Sequence, residues 1–234
     1  LNNDYRRLNS DTGSTPSAWK SIAADSEIEF CLATVDPQGN ATTGIVRKTV
    51  GGTPTGSDLW TPSQYLNLLV YDLEGGLLGF TYLHSQSPNQ GVHIGYQYFG
   101  KTGASAPFNK GRTATHEVGH WFNLEHTWGD ANCGNDFIND TPTQQNETYG
   151  CPGYPNAAGC SSPNPPGRMF MNYLDYSDDA CMNIFTQDQK ARMIAAINQY
   201  RSGLLNNGKC GTLVTIDAGI QTTVQPVGTL CNTT

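Results

Sequence analysis

Positive charge is scarce in this chain of 234 residues: 13 lysines and arginines stand against 20 acidic residues, for a formal net charge of −7. That balance gives no electrostatic support to a nucleic-acid partner. Long apolar runs are missing too. No stretch approaches the roughly 18 residues that a membrane helix requires, so no membrane span is expected. The N-terminus, LNNDYRRLNSD, is polar and lacks the apolar segment of a secretory leader. The expectation is a chain that has shed its targeting segment or never carried one. No C-x2-C pair occurs, which weakens a cysteine-only zinc site, and no internal repeat is found.

Cysteine itself is plentiful, at positions 31, 133, 151, 160, 181, 210 and 231. Four of the seven fall between 133 and 181, in a stretch rich in Gly, Pro, Asn and Ser with few apolar residues to pack. Such a segment needs staples, so disulfides and a secreted location are expected. The odd total leaves at least one thiol free or paired outside the chain. Cys31 reads as a buried thiol or as the partner of a tail cysteine, and Cys210 with Cys231 is an alternative closure of the tail.

Periodicity predicts short helices at 2–9 and 17–24, then a half-buried strand around Ile28, Phe30 and Leu32. Further strands are expected at 44–50, 65–73, 77–83 and 91–99, and helices at 111–123 and 187–202. Thr186 and Gln189 form a T-x-x-Q capping box for the last helix. Strands first, then a helix, then a loop-rich half indicate an α+β domain. Length allows one substantial core. Residues 1–209 are assigned to it, and 210–234 to a tail.

The chemistry concentrates in HEVGHWFNLEH, residues 116–126. On a helix His116 and His120 share a face and can hold one zinc ion, while Glu117 is placed to take a proton from water activated by the zinc. His126 is a third ligand only if the helix stops near residue 123. A continuous helix would carry it about 240° round, off the metal face. Glycine favours such a stop, and Asn123 is the side-chain-bearing residue most tolerant of the left-handed conformation. His84 and His93 have no partner at ligand spacing and read as structural or exposed.

HEVGHWFNLEHTWGD followed by NYLDYSDDACMNIFT resembles the pappalysin family of metzincin metallopeptidases, in its ulilysin-like branch. LNNDYRRLNSDT, LATVDPQG and GYQYFG extend the resemblance over about residues 1–205. It implies a metzincin-type α+β fold and a secreted zinc endopeptidase acting on protein or peptide substrates. It also implies a strand preceding the first helix. His116, His120 and His126 would bind Zn2+, with Glu117 as general base and acid. Leu174 stands where the family has a methionine in the turn beneath the metal, a swap of similar volume. Tyr176 would donate to the oxyanion. Asp179, with Asp178 as the neighbouring alternative, would lie at the base of the pocket after the scissile bond and favour Arg or Lys there. Cys133–Cys160 and Cys151–Cys181 are the implied disulfides. Asp136, Asn139 (by its carbonyl), Thr141 and Glu147 are the implied Ca2+ ligands. Substrate is expected to pair with an edge strand at GVHIGYQYF. A shorter likeness, IDAGIQTTVQPVGTLC, is to the first strands of β-sandwich modules.

Two other readings stand beside this one. Asn123 and Leu174, as departures from the family pattern, favour a non-catalytic zinc-containing binding domain, whereas Glu117 and Tyr176 oppose it. A zincin whose third ligand is a distant glutamate is opposed by His126.

Overall fold

The computed structural model describes residues 1–49, 53–83, 90–157, 159–160, 167–205, 207–210 and 226–233, the last by backbone alone. His84 lies outside the described residues. In chain order the elements are α1 (Asn2–Tyr5), α2 (Ser17–Lys20), β1 (Glu29–Leu32), β2 (Ile45–Arg47), β3 (Leu66–Tyr71), β4 (Gly79–Phe80), β5 (Val92–Gly95), α3 (Arg112–Trp121), α4 (Gln187–Tyr200) and β6 (Pro226–Thr233).

The sheet runs β1-β6-β3-β5-β4, with β2 also on β6. β3 and β5 are parallel; the other pairings are antiparallel. All six residues of β3 are buried, which explains its nearly unbroken apolar run. Its one polar residue, Asn67, is satisfied by the Trp60 backbone, accepting from the amide (2.9 Å) and donating to the carbonyl (2.7 Å).

The edge strand is not where the sequence suggested. β5 is paired on both sides, and β4 forms the edge. Gly75 and Gly76, both with φ near +73°, turn the chain after β3 so that Gly79–Phe80 returns outside β5. β5 also stops at Gly95, four residues short of the predicted end, because Tyr96–Tyr98 curl into a 3-10 turn. The first helices are short for local reasons. Arg7 adopts φ +51°, and the Asn2 side chain both accepts from and donates to the Phe30 backbone, fastening α1 to β1. The chain leaves α2 when the Ala24 amide bonds the Phe185 carbonyl (2.8 Å).

α3 is buried along its whole length and packs on β4 and β5. Tyr5, Phe30, Leu68, Ile94, Val118, Phe122, Tyr173, Leu174, Phe185 and Met193 belong to one core uniting sheet, both long helices and the 171–186 turn. The capping box forms as expected: the Gln189 amide donates to Thr186 Oγ1 (3.2 Å) and the Thr186 amide to Gln189 Oε1 (2.9 Å). Disulfides Cys133–Cys160 and Cys151–Cys181 fasten the loop-rich half, and Cys31–Cys210 ties β1 to the tail.

Candidate active site

α3 is held at both ends. At its start Asp179 is buried, and its Oδ2 accepts from the amides of Lys110 (2.6 Å) and Arg112 (3.2 Å). A carboxylate there complements the helix dipole. Burial raises the Asp179 pKa, and these amide bonds work against the rise. The Arg112 side chain is buried between Asp4 and Asp11, so the N-terminal segment is clamped to the first turn.

At its end the Asn123 amide donates to the His120 carbonyl (2.8 Å) and the Leu124 amide to the Gly119 carbonyl (3.0 Å), the paired bonds of a Schellman stop. Asn123 takes φ +72°. Arg192 on α4 donates to its carbonyl at 2.7 Å and holds the turn from outside. The chain therefore doubles back, and His126 meets the two helix histidines.

The three Nε2 atoms lie 3.0–3.2 Å from one another. Every Nδ1 has a separate partner: the Tyr173 carbonyl for His116 (2.7 Å), the Leu124 carbonyl for His120 (2.7 Å) and Asp130 Oδ1 for His126 (2.5 Å). Since each Nδ1 donates, each Nε2 presents a lone pair, and three lone pairs face one point. Burial, then the neighbouring imidazoles, lowers the pKa of His116 and of His126, the latter to about 2; burial lowers that of His120. All three are neutral at pH 7. Tetrahedral zinc with bonds of about 2.0–2.1 Å separates its nitrogen ligands by about 3.3 Å, so the donor set fits that ion closely. Among the described residues this is the one group of three or more His, Cys, Asp or Glu side chains so gathered.

Glu117 is buried beside this cluster, and burial pushes its carboxyl up to about 8. Below it lies the 171–186 turn. Leu174 is fully buried beneath α3, where a Cβ on Gly119 would come within 3.0 Å of its Cδ2. Its amide donates to Asn172 Oδ1 (2.9 Å), and Asn172 is gripped by the capping residue Gln189. The α4 cap thus also fixes the floor under the histidines. Asp175, buried, accepts from the amides of Thr148 (2.7 Å) and Tyr176 (2.8 Å) and from Gln144 Nε2 (3.0 Å).

Tyr176 is partly exposed, its ring 4.9 Å from that of His126 and 5.6 Å from that of His116. Burial and then the Glu117 carboxylate push its hydroxyl to about 12, so it keeps its proton at neutral pH. Of the four oxygen-donor residues, Asp136 and Thr141 meet (Oδ2 to Oγ1, 2.7 Å), while Asn139 is exposed and Glu147 accepts from the Tyr149 hydroxyl (3.3 Å). Burial raises Asp136 to about 6.

Asp130 and Trp128 were not singled out from the sequence. Trp128 stacks on the His126 ring at 4.3 Å, and both Trp128 and Asp130 line a cavity of about 390 Å³ shared with Gln145 and Glu147. The available signal was an acidic residue four positions after His126, following a glycine. His93 is buried, stacked on Phe80 and hydrogen-bonded to the Tyr71 hydroxyl (3.0 Å).

A family profile described as pregnancy-associated plasma protein-A, of the M43 peptidases, matches residues 54–198. An extracellular metalloprotease of Pyricularia oryzae is 40% identical over 148 residues, which is 59% of this chain and 51% of that protein. Another from Colletotrichum graminicola is 41% identical over 145 residues, 58% of this chain and 50% of that protein. The chain therefore spans about half the length of these curated relatives. Mature mirolysin of Tannerella forsythia, solved with a cleaved peptide, superposes with a TM-score of 0.80 at 42% identity, covering 86% of this chain and 83% of that one. The relatives' extracellular names and the disulfides agree on a secreted location. The α+β architecture is that of mirolysin, and the chain belongs to the M43, or pappalysin, family of metallopeptidases.

Proposed function

We propose that the protein is a secreted zinc endopeptidase. The observation that carries the reading is the set of three neutral imidazoles with converging lone pairs beside a buried carboxylate. Zinc, when bound by His116, His120 and His126, supplies the Lewis acidity that polarises a carbonyl and makes water a stronger acid. Glu117, whose ionised form a neighbouring zinc charge would favour against the effect of burial, accepts the proton of the attacking water and returns it to the departing amine. Tyr176, protonated at neutral pH, donates to the oxygen that gains charge as the carbonyl carbon becomes tetrahedral. The substrate main chain adds as a strand to β4, the edge of the sheet.

We assign a preference for Arg or Lys after the scissile bond to Asp179, with Asp178 as the neighbouring candidate. Asp179 Oδ2 is engaged by backbone amides, which keeps the carboxylate fixed in place for a charge-assisted contact with a basic side chain. Asp136, Thr141, Glu147 and the Asn139 carbonyl form the proposed calcium site. A bound cation there would favour the charged form of Asp136, which burial opposes.

A peptide panel varied after the scissile bond tests activity and preference together. The expected result is cleavage that a zinc chelator abolishes and added zinc restores, fastest before Arg and Lys. Indifference to the residue would remove the role of Asp179. A zinc-loaded protein that cleaves nothing would leave a binding domain on this fold.

A further inference from the structure

The edge strand and Glu117 are in contact. A Cβ placed on Gly79 would lie 2.8 Å from Glu117 Cγ, 3.1 Å from its Oε1 and 2.9 Å from the His93 carbonyl oxygen. Carbon atoms in contact sit about 3.5–4.0 Å apart, so a methyl group here would displace the glutamate by about 1 Å. Neither neighbour has slack. The His93 carbonyl belongs to β5, where Gly79 pairs with Ile94 and Phe80 with His93, and the two rings stack at 4.3 Å. Glu117 rises from a helix buried along its length. Gly79 is not among the glycines with positive φ. Its backbone conformation is open to any residue, so the missing side chain is the property in use.

We infer that Gly79 is a positioning residue for Glu117, leaving the space in which the carboxylate stands and backing it with the β4 main chain. This rests on the reading of Glu117 as the proton carrier. One consequence is that base and substrate are placed by the same short strand. A substrate paired with β4 then has its main chain held at a fixed distance from the carboxylate.

The test is Gly79→Ala compared with Gly95→Ala, in zinc-loaded protein. A Cβ at Gly95 would come 3.1 Å from Tyr98 Cδ2 and 3.3–3.4 Å from the Leu77 and Leu78 carbonyl oxygens. That substitution crowds the same strand pair without facing Glu117. Gly79→Ala is expected to lower kcat about a hundredfold, the effect of a 1 Å misplacement. Zinc should stay at one equivalent and KM change less than about threefold, while Gly95→Ala keeps kcat within about threefold. A double-mutant cycle in Tm supplies a readout independent of activity. If the new methyl strikes Glu117, adding Glu117→Ala recovers most of the Tm that Gly79→Ala loses. Wild-type kcat in Gly79→Ala overturns the inference. So does a Tm loss that Glu117→Ala leaves unchanged, since the clash would then be with β5 alone. Should Gly79→Ala fail to fold, recovery of folding in the double variant decides in favour and its absence decides against. An active Glu117→Ala enzyme would instead refute the proton-carrier reading, and the Tm cycle would still report on the contact.

Discussion

Replacing Asn123 probes the turn that brings His126 to the other two histidines. The residue sits at φ +72°, and the stop depends on its amide reaching His120 and the Leu124 amide reaching Gly119. A left-handed residue bearing a Cβ is destabilised by about 1–2 kcal/mol, and Asn offsets part of this by local hydrogen bonding. Glycine removes that strain, but in the unfolded chain it has about 0.5–1 kcal/mol more conformational freedom to lose. The expected order of stability is therefore Asn123→Gly close to wild type, Asn123→Ala about 1 kcal/mol lower, and Asn123→Val about 2 kcal/mol lower, because a β-branched residue is an outlier there. Denaturant unfolding of zinc-free protein measures this series. Any strain that the zinc-free fold relieves by relaxing the turn must be restored when His126 binds, so zinc affinity should fall in the same order. Stability loss and affinity loss together make up the about 2 kcal/mol of the valine variant, at most roughly 30-fold in affinity at about 1.4 kcal/mol per tenfold. Competition with a chromophoric chelator measures it. If Asn123→Val leaves both stability and zinc affinity close to those of the wild type, the left-handed stop is not what positions His126.

Other expectations follow from the surroundings of the site. Asp130→Ala removes the acceptor that orients His126 and should weaken zinc binding about 10–100-fold in the same competition assay, with the fold retained. Leu174→Ala should lose about 2–5 kcal/mol by opening a cavity under α3, whereas Leu174→Met should lose less than about 1.5 kcal/mol and keep its kcat; thermal melts and peptide turnover separate the two. Removing Cys151 and Cys181 together should destabilise by about 3 kcal/mol, read by denaturant unfolding, since their disulfide closes the loop onto the 171–186 turn. His93 predicts an acid response. Burial lowers its pKa from 6.5 to about 4, so between those values the unfolded chain takes up a proton that the folded one refuses. The contribution of His93 to stability should fall as pH drops from 6.5 and level off below about 4, by up to about 3 kcal/mol. In zinc-free protein His93→Gln should flatten that segment of the pH profile.

The parts that could be read from the sequence are those governed by local rules. The capping box at Thr186 and Gln189 and the helical pair His116 and His120 depend on spacing along one helix. His126 obeys the same rule: rotation per residue is fixed, so only a helix that stops near residue 123 returns it to the other two histidines. What escaped was set by the topology of the chain. β5 has every mark of a strand, but its place inside the sheet depends on where Gly75 and Gly76 send β4, and periodicity carries no information about that. Asp130 escaped because its role exists only once the turn at Asn123 has brought His126 round. Arg7 at φ +51° shortened the first helix, and no residue-type preference would have placed the break there.

Three histidines holding one zinc ion and Glu117 moving the proton are the two parts of the proposed chemistry. Zinc content and peptide cleavage, measured on the same samples of wild type and Glu117→Ala, address it most directly. One zinc per chain is expected in both proteins, with cleavage by the wild type alone and loss of that cleavage on chelation. Cleavage by Glu117→Ala near the wild-type rate, or a wild type that cleaves fully after its zinc has been removed, would contradict it.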